Sequence, residues 1–189
     1  MKKLLITYAL KEEFKPVSVD GYEIDYLTTG VGKTRSAMKL TEAVIKKRPD
    51  LVINIGTAGT LNHKTGDIFI CKRFIDRDYQ ATKLPGIEYE LDFTETLQHE
   101  TIAQNALVGH AQPGTCNTGD NFVTDVSTIE GDVVDMESFA QATVCKEFDI
   151  SFIAVKYVTD IIGQNSVKHW EDKLADAQKT LERFILQVL

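Results

Sequence analysis

The sequence predicts an α/β domain built on a largely parallel sheet. Three observations carry this. Leu51-Val52-Ile53-Asn54-Ile55 and Phe152 to Val158 are nearly unbroken apolar runs, the pattern of strands covered on both faces. Segments with helical spacing alternate with such strands along the chain. The last segment places Trp170, Leu174, Ala177, Leu181, Phe184 and Val188 four and three residues apart, one apolar stripe of a helix. At 189 residues the chain has the size of one domain, expected over 1–189.

The elements follow in order. Leu4 to Thr7 is a short apolar strand, and Tyr22 to Leu27 a second, entered through the turn signal Asp20-Gly21. Gly30-Val31-Gly32 opens a helix whose apolar face holds Ala37, Leu40, Thr41 and Val44. Its last turn carries Lys46, Lys47 and Arg48, and Pro49 stops it. The Leu51 strand is expected to end at Gly56-Thr57-Ala58-Gly59. Ile68 to Cys71 is another strand, and residues 76–100 read as an irregular excursion. Ala106 to Val108 and Thr115 to Cys116 are weaker strand candidates; Val133 to Met136 is a short strand and Glu137 to Phe148 a helix.

Composition narrows the function. The net charge is −7, from 21 basic and 28 acidic side chains, which argues against a general binder of nucleic acid. Cys71, Cys116 and Cys145 are far apart and odd in number, as expected of reduced thiols. No apolar run reaches the roughly 18 residues of a membrane span, and Lys11, Glu12 and Glu13 cut short any leader-like start, so the protein is expected in the cytoplasm. His63, His99, His110 and His169 are scattered, so neither a metal nor another cofactor is expected. Gly30-Val31-Gly32-Lys33-Thr34 resembles the end of a phosphate loop, but Leu27 stands where its first glycine belongs. A tight strand-to-helix turn accounts for both glycines.

Ligands of open α/β sheets bind beyond the carboxyl ends of the strands. Those ends carry Ala9 and Glu13, then Thr57, Ala58 and Gly59, then Met136 and Glu137, then Thr159 and Asp160. Three acids thus meet a glycine-lined floor, with Phe122 and Val123 placed to cover a flat ring. Cleavage of a glycosidic bond asks for such a set: an acid on the leaving group, a base on the incoming water, and a hold on the sugar. Each acid also has a plainer reading, as a solvated, helix-dipole or capping residue.

Five stretches stand in order: Ala9-Leu10-Lys11-Glu12-Glu13, Thr29-Gly30-Val31-Gly32-Lys33, Pro49 through Gly59, Thr118-Gly119-Asp120-Asn121-Phe122-Val123, and Val134-Asp135-Met136-Glu137-Ser138 with Val155 to Asp160. Together they resemble the nucleoside phosphorylase superfamily in its nucleosidase branch, and most of all the bacterial 5′-methylthioadenosine/S-adenosylhomocysteine nucleosidases. The resemblance implies a three-layer α/β/α sandwich around a mixed, twisted sheet, a small purine nucleoside as ligand, and a homodimer. It implies that Glu13 activates water and that Asp160 protonates the departing purine at N7, for which the site must raise its pKa. It assigns Glu137 to the 2′ and 3′ hydroxyls and Met136 to the sugar. It assigns Phe122 to stacking on the base, the Val123 backbone to the base edge, and Thr57, Ala58 and Gly59 to the pocket floor.

Departures stand beside the resemblance. Asp135 occupies the position of a more usual glutamate, Lys156 that of an arginine and Thr60 that of a glycine; a hairpin before the Gly30 turn is missing. Arg77 to Phe93 matches poorly, in the region that shapes the 5′ pocket and dimer of typical members. The related phosphorylases carry a Gly-Asp-Pro-x-Arg stretch and a second arginine, where this chain has Tyr8 to Glu13 and Asn54. An acid at the phosphate position favours water as nucleophile. Lys33 and Arg35 are available to an anion, though such helix-surface cations are usually solvated. Phosphorolysis, a nucleosidase for another nucleoside such as futalosine, and binding without turnover remain the alternatives.

Overall fold

The computed structural model describes all residues except 107, 122, 124–128 and 165, and only the backbone of 166 and 167. The elements are β1 (Lys2–Tyr8), β2 (Tyr22–Thr28), α1 (Lys33–Lys46), β3 (Leu51–Thr60), β4 (Ile68–Asp76), α2 (Arg77–Thr82), β5 (Glu90–Asp92), α3 (Thr101–Asn105), β6 (Gln112–Thr118), β7 (Val133–Asp135), α4 (Ser138–Glu147), β8 (Ser151–Ile161) and α5 (Ser166–Val188).

The class is α/β with a mixed sheet. β1 pairs in parallel with β2 and β3, β3 with β8, and β4 and β7 with β6. β4 runs antiparallel to β5 and β8, and β3 antiparallel to β7. The sheet is not open as expected. β3, β8, β4, β6 and β7 pair in a ring, closed by the single register pair Gly59–Val134. The central β3 and β8 explain their own apolar runs: Val52, Ile53 and Ile55 pair with Phe152, Ile153 and Val155, all fully buried.

Several expectations are corrected. β3 does not stop at Gly56 but continues through Thr60, because β8 pairs with it along its whole length with a register shift at Ala58/Gly59. The 76–100 excursion contains α2 and β5; Asp76 caps α2 by accepting from the N–H groups of Asp78 (2.9 Å) and Tyr79 (3.2 Å). Ala106 and Val108 lie in turns rather than a strand, and Leu107 falls outside the described residues. Met136 lies just past β7.

The turn before α1 does what its glycines predict. Gly30 and Gly32 have φ of 79° and 94°, a left-handed region costly for other residues. The N–H groups at the helix start are not left for phosphate: Gly32 donates to Glu137 Oε1 (2.9 Å) and Lys33 to Asp120 Oδ1 (2.7 Å). The Lys33 ammonium, expected on the surface, pairs instead with Asp76 (3.1 Å) and Asp78 (2.5 Å), tying α1 to α2.

Candidate active site

The ends of β1, β3, β7 and β8 enclose a cavity of about 220 Å³. Ala9, Glu13, Thr57, Ala58, Gly59, Val123, Met136, Glu137, Thr159 and Asp160 all line it. Phe122 lies outside the described residues. Leu10, Val31, Arg77, Asn121, Val134, Asp135, Ile162 and Trp170 also line the cavity and were not singled out as site residues. The loop and strand members among them adjoin quoted stretches. Arg77 and Trp170 come from segments whose role only the tertiary fold reveals.

Glu13 is buried and held by four donors. Oε2 accepts from the backbone N–H groups of Ala9 (3.1 Å) and Leu10 (3.0 Å). Oε1 accepts from the N–H (3.0 Å) and hydroxyl (2.8 Å) of Thr57. An ionised carboxylate is acceptor-only, with room for about four such bonds, so its orientation is set from both β1 and β3. Trp170 on α5 extends the network, its indole N–H donating to Thr57 Oγ1 at 3.0 Å.

Asp160 is buried near the end of β8, with the Thr159 hydroxyl 2.8 Å from its Oδ1. Gly59 faces it across the β3–β8 pair. A Cβ there would lie 3.0 Å from Asp160 Oδ2 and 3.2 Å from Val134 Cγ2, so glycine is what lets the strands close.

Asp135 and Lys156 form an ion pair in the floor, 2.8 Å apart, with both side chains inaccessible to solvent. Burial would push Asp135 up, but the Lys156 charge and the Ser138 and Thr118 hydroxyls, each 2.6 Å away, outweigh it and hold the carboxyl at about 2. Glu137 is the opposite case. Burial, reinforced by the Asp135 charge, pushes it up to about 8, against the lowering influence of Lys156 and the Gly32 N–H. Two neighbouring acids therefore hold different charges near neutrality.

No group of three or more metal-ligating side chains occurs among the described residues. The three cysteines are free and buried, and burial pushes the Cys145 thiol well up.

The model of the Phosphorylase superfamily matches residues 10–189. The chain is 31% identical to the 5′-methylthioadenosine/S-adenosylhomocysteine nucleosidase of Bacillus licheniformis, over 94% of this chain and 85% of that one. It is 30% identical to the enzyme of the same name from Geobacillus thermodenitrificans, over 94% and 83%. Among solved structures, it is similar to a nucleosidase of that name from Colwellia psychrerythraea in complex with adenine, with TM-score 0.84, 21% identity and coverage of 99% and 94%. It is also similar to a futalosine hydrolase mutant of Helicobacter pylori, with TM-score 0.83, 19% identity and coverage of 100% and 98%. At those identities the structural likeness speaks for the fold.

Proposed function

The chain belongs to the phosphorylase superfamily, in its nucleosidase branch, and from that premise we infer its reaction. It is an N-glycosyl hydrolase. It cleaves the N-glycosidic bond of a purine nucleoside such as 5′-methylthioadenosine or S-adenosylhomocysteine, releasing free base and a ribose derivative.

In our reading Glu13 takes a proton from water as it attacks the anomeric carbon, and Asp160 protonates the purine as it leaves. Glu137 accepts from the ribose hydroxyls, Met136 packs on the sugar, and Thr57, Ala58 and Gly59 carry the base, whose edge the Val123 backbone reads. Thr159 and Ala9 hold the two catalytic carboxyls in place through the bonds described above. The observation that carries this reading is the four-donor clasp on Glu13, in the same cavity as Asp160. Water fits there better than a phosphate dianion, which the carboxylate of the base Glu13 would repel. The test is base release from 5′-methylthioadenosine, S-adenosylhomocysteine, adenosine, inosine and futalosine, each with and without phosphate. Release without phosphate is expected; strict dependence on phosphate overturns hydrolysis.

The shifted Glu137 yields a second expected outcome. Ribose hydroxyls donating to its carboxylate favour the ionised form, so ligand binding lowers its pKa from about 8. Binding near pH 7 should then release a proton, and affinity should rise with pH up to about 8 and level off above it. Calorimetry with a non-hydrolysable ribonucleoside analogue in Tris and in HEPES measures the release. Equal enthalpies in both buffers would remove Glu137 from the ribose.

We extend the reading to a cytoplasmic homodimer of one three-layer α/β/α domain. Its support is the three free buried cysteines and the absence, among the described residues, of a helix long and apolar enough to cross a membrane. The exposed Tyr79, Leu84 and Ile87 of the 77–93 segment are apolar surface that a second copy would cover.

A further inference from the structure

Arg77 is the one basic residue among the described residues that line the cavity. Its guanidinium is locked in place. Nη1 donates to the carbonyl (3.2 Å) and side-chain Oδ1 (3.0 Å) of Asn117, and Nη2 to the carbonyl of Asn121 (3.0 Å). It lies flat against Gly119, where a Cβ would fall 2.6 Å from Nη2. These bonds use three of the five guanidinium N–H groups.

The nearby acids are already committed. Asp76 and Asp78 pair with Lys33, and Asp135 with Lys156. Arg77 itself makes no ion pair with a described residue. Burial pulls its pKa down, and the charges of Asp78, Asp135 and Asp76 only partly offset this. A half-buried cation that pairs with no acid among the described residues and faces a ligand cavity is costly unless an opposite charge joins it, and a ligand can bring one.

Its place in the fold says which part of the ligand it meets. The Lys33 ion pairs draw the start of α2 to the Gly30–Gly32 turn, and the Gly32 N–H is bonded to Glu137 Oε1. Asp120, whose Oδ1 accepts from the Lys33 N–H, precedes the Asn121 that Arg77 bonds, so the guanidinium stands between the Gly30–Gly32 turn, on the side that the proposed function gives to the sugar, and the segment leading to Val123.

We propose that Arg77 binds an oxyanion beside the sugar, supplied by a carboxylate on the 5′ substituent of the substrate, so that the site favours an amino-acid-bearing nucleoside over one with an uncharged 5′ group. This rests on the nucleosidase reading above. S-adenosylhomocysteine carries such a carboxylate and 5′-methylthioadenosine does not. A guanidinium presents its remaining donors as a planar fork, which suits a carboxylate.

The test compares kcat/KM for these two substrates in phosphate-free buffer, for the wild type, Arg77→Met and Arg77→Lys. The ratio of S-adenosylhomocysteine to 5′-methylthioadenosine is expected to fall about 10- to 100-fold in Arg77→Met, the range of a charged hydrogen bond, with Arg77→Lys between. An equal loss for both substrates overturns the proposal, since Arg77 would then only support the Asn117–Asn121 segment. A stimulation on adding phosphate that needs Arg77 and yields the 1-phosphate of the 5-substituted ribose also overturns it, by making free phosphate the oxyanion. If the wild type releases adenine from neither substrate, the nucleosidase reading fails separately. Quenching of Trp170, the single tryptophan, then decides the proposal through affinity for the same two compounds. A preference for S-adenosylhomocysteine that Arg77→Met abolishes supports it, and equal affinities overturn it.

Discussion

Glu13→Gln and Asp160→Asn are each expected to lower kcat by about 10²- to 10⁴-fold, the usual contribution of a positioned acid or base. The two losses have different physical origins. In Glu13→Gln the amide nitrogen must face one of the two donor pairs, Ala9 and Leu10 or the Thr57 N–H and hydroxyl. That site loses both its base and part of its clasp, so a stability cost of about 1–3 kcal/mol accompanies the lost turnover. In Asp160→Asn the carboxyl is replaced by a group with no transferable proton of suitable acidity. Substrate affinity should persist there while the chemical step fails. Steady-state rates with a thermal melt of each variant check both. Near-normal kcat in either, in a folded protein, removes that residue from the assigned role.

Lys156→Met is the second large effect. It leaves Asp135 buried with only hydroxyl and backbone donors, and removing one partner of a buried pair costs about 3–5 kcal/mol. For a chain of this size that corresponds to a melting temperature lower by about 6–20 °C. The pH dependence has a definite sign. Asp135, held near 2 in the native wild type, contributes stability above the unfolded value of 3.8 that is lost as pH falls through 2. Without Lys156 the buried acid escapes its penalty by taking a proton, so the gap between variant and wild type should be widest near neutrality and narrow below about pH 4. Adding Asp135→Asn to Lys156→Met should recover part of the loss. A single variant as stable as the wild type at pH 7 would show that the pair contributes little.

The central strands were legible because burial on both faces leaves a plain apolar run, as at Leu51–Ile55 and Phe152–Val158. α5 was legible because its stripe packs on one side only, burying Ala177, Leu181, Phe184 and Val188. The continuation of β3 through Gly56 and Gly59 was not, since two glycines in sequence signal a turn and only pairing with β8 overrides that. α2 was hidden because six residues carry too little periodicity, and its start is fixed by the Asp76 cap and the Lys33 ion pairs, both tertiary facts. The acids of the site were legible from their places at strand ends and from the family resemblance. Arg77 and Trp170 reach the cavity from helices packed over it, and nothing local to their sequence points inward.

The closure at Gly59 bears on how this protein can change. The space a side chain would need at that position is occupied by Asp160 on one side and Val134 on the other, and the ring depends on that single contact. In a library randomised at the cavity wall, Gly59 should therefore return almost only glycine. Arg77 and Trp170, mounted on helices outside the ring, should accept many replacements that alter selectivity without loss of folding. The molecule thus divides into a frozen frame that carries the chemistry and an adaptable rim through which new substrate preferences can be selected.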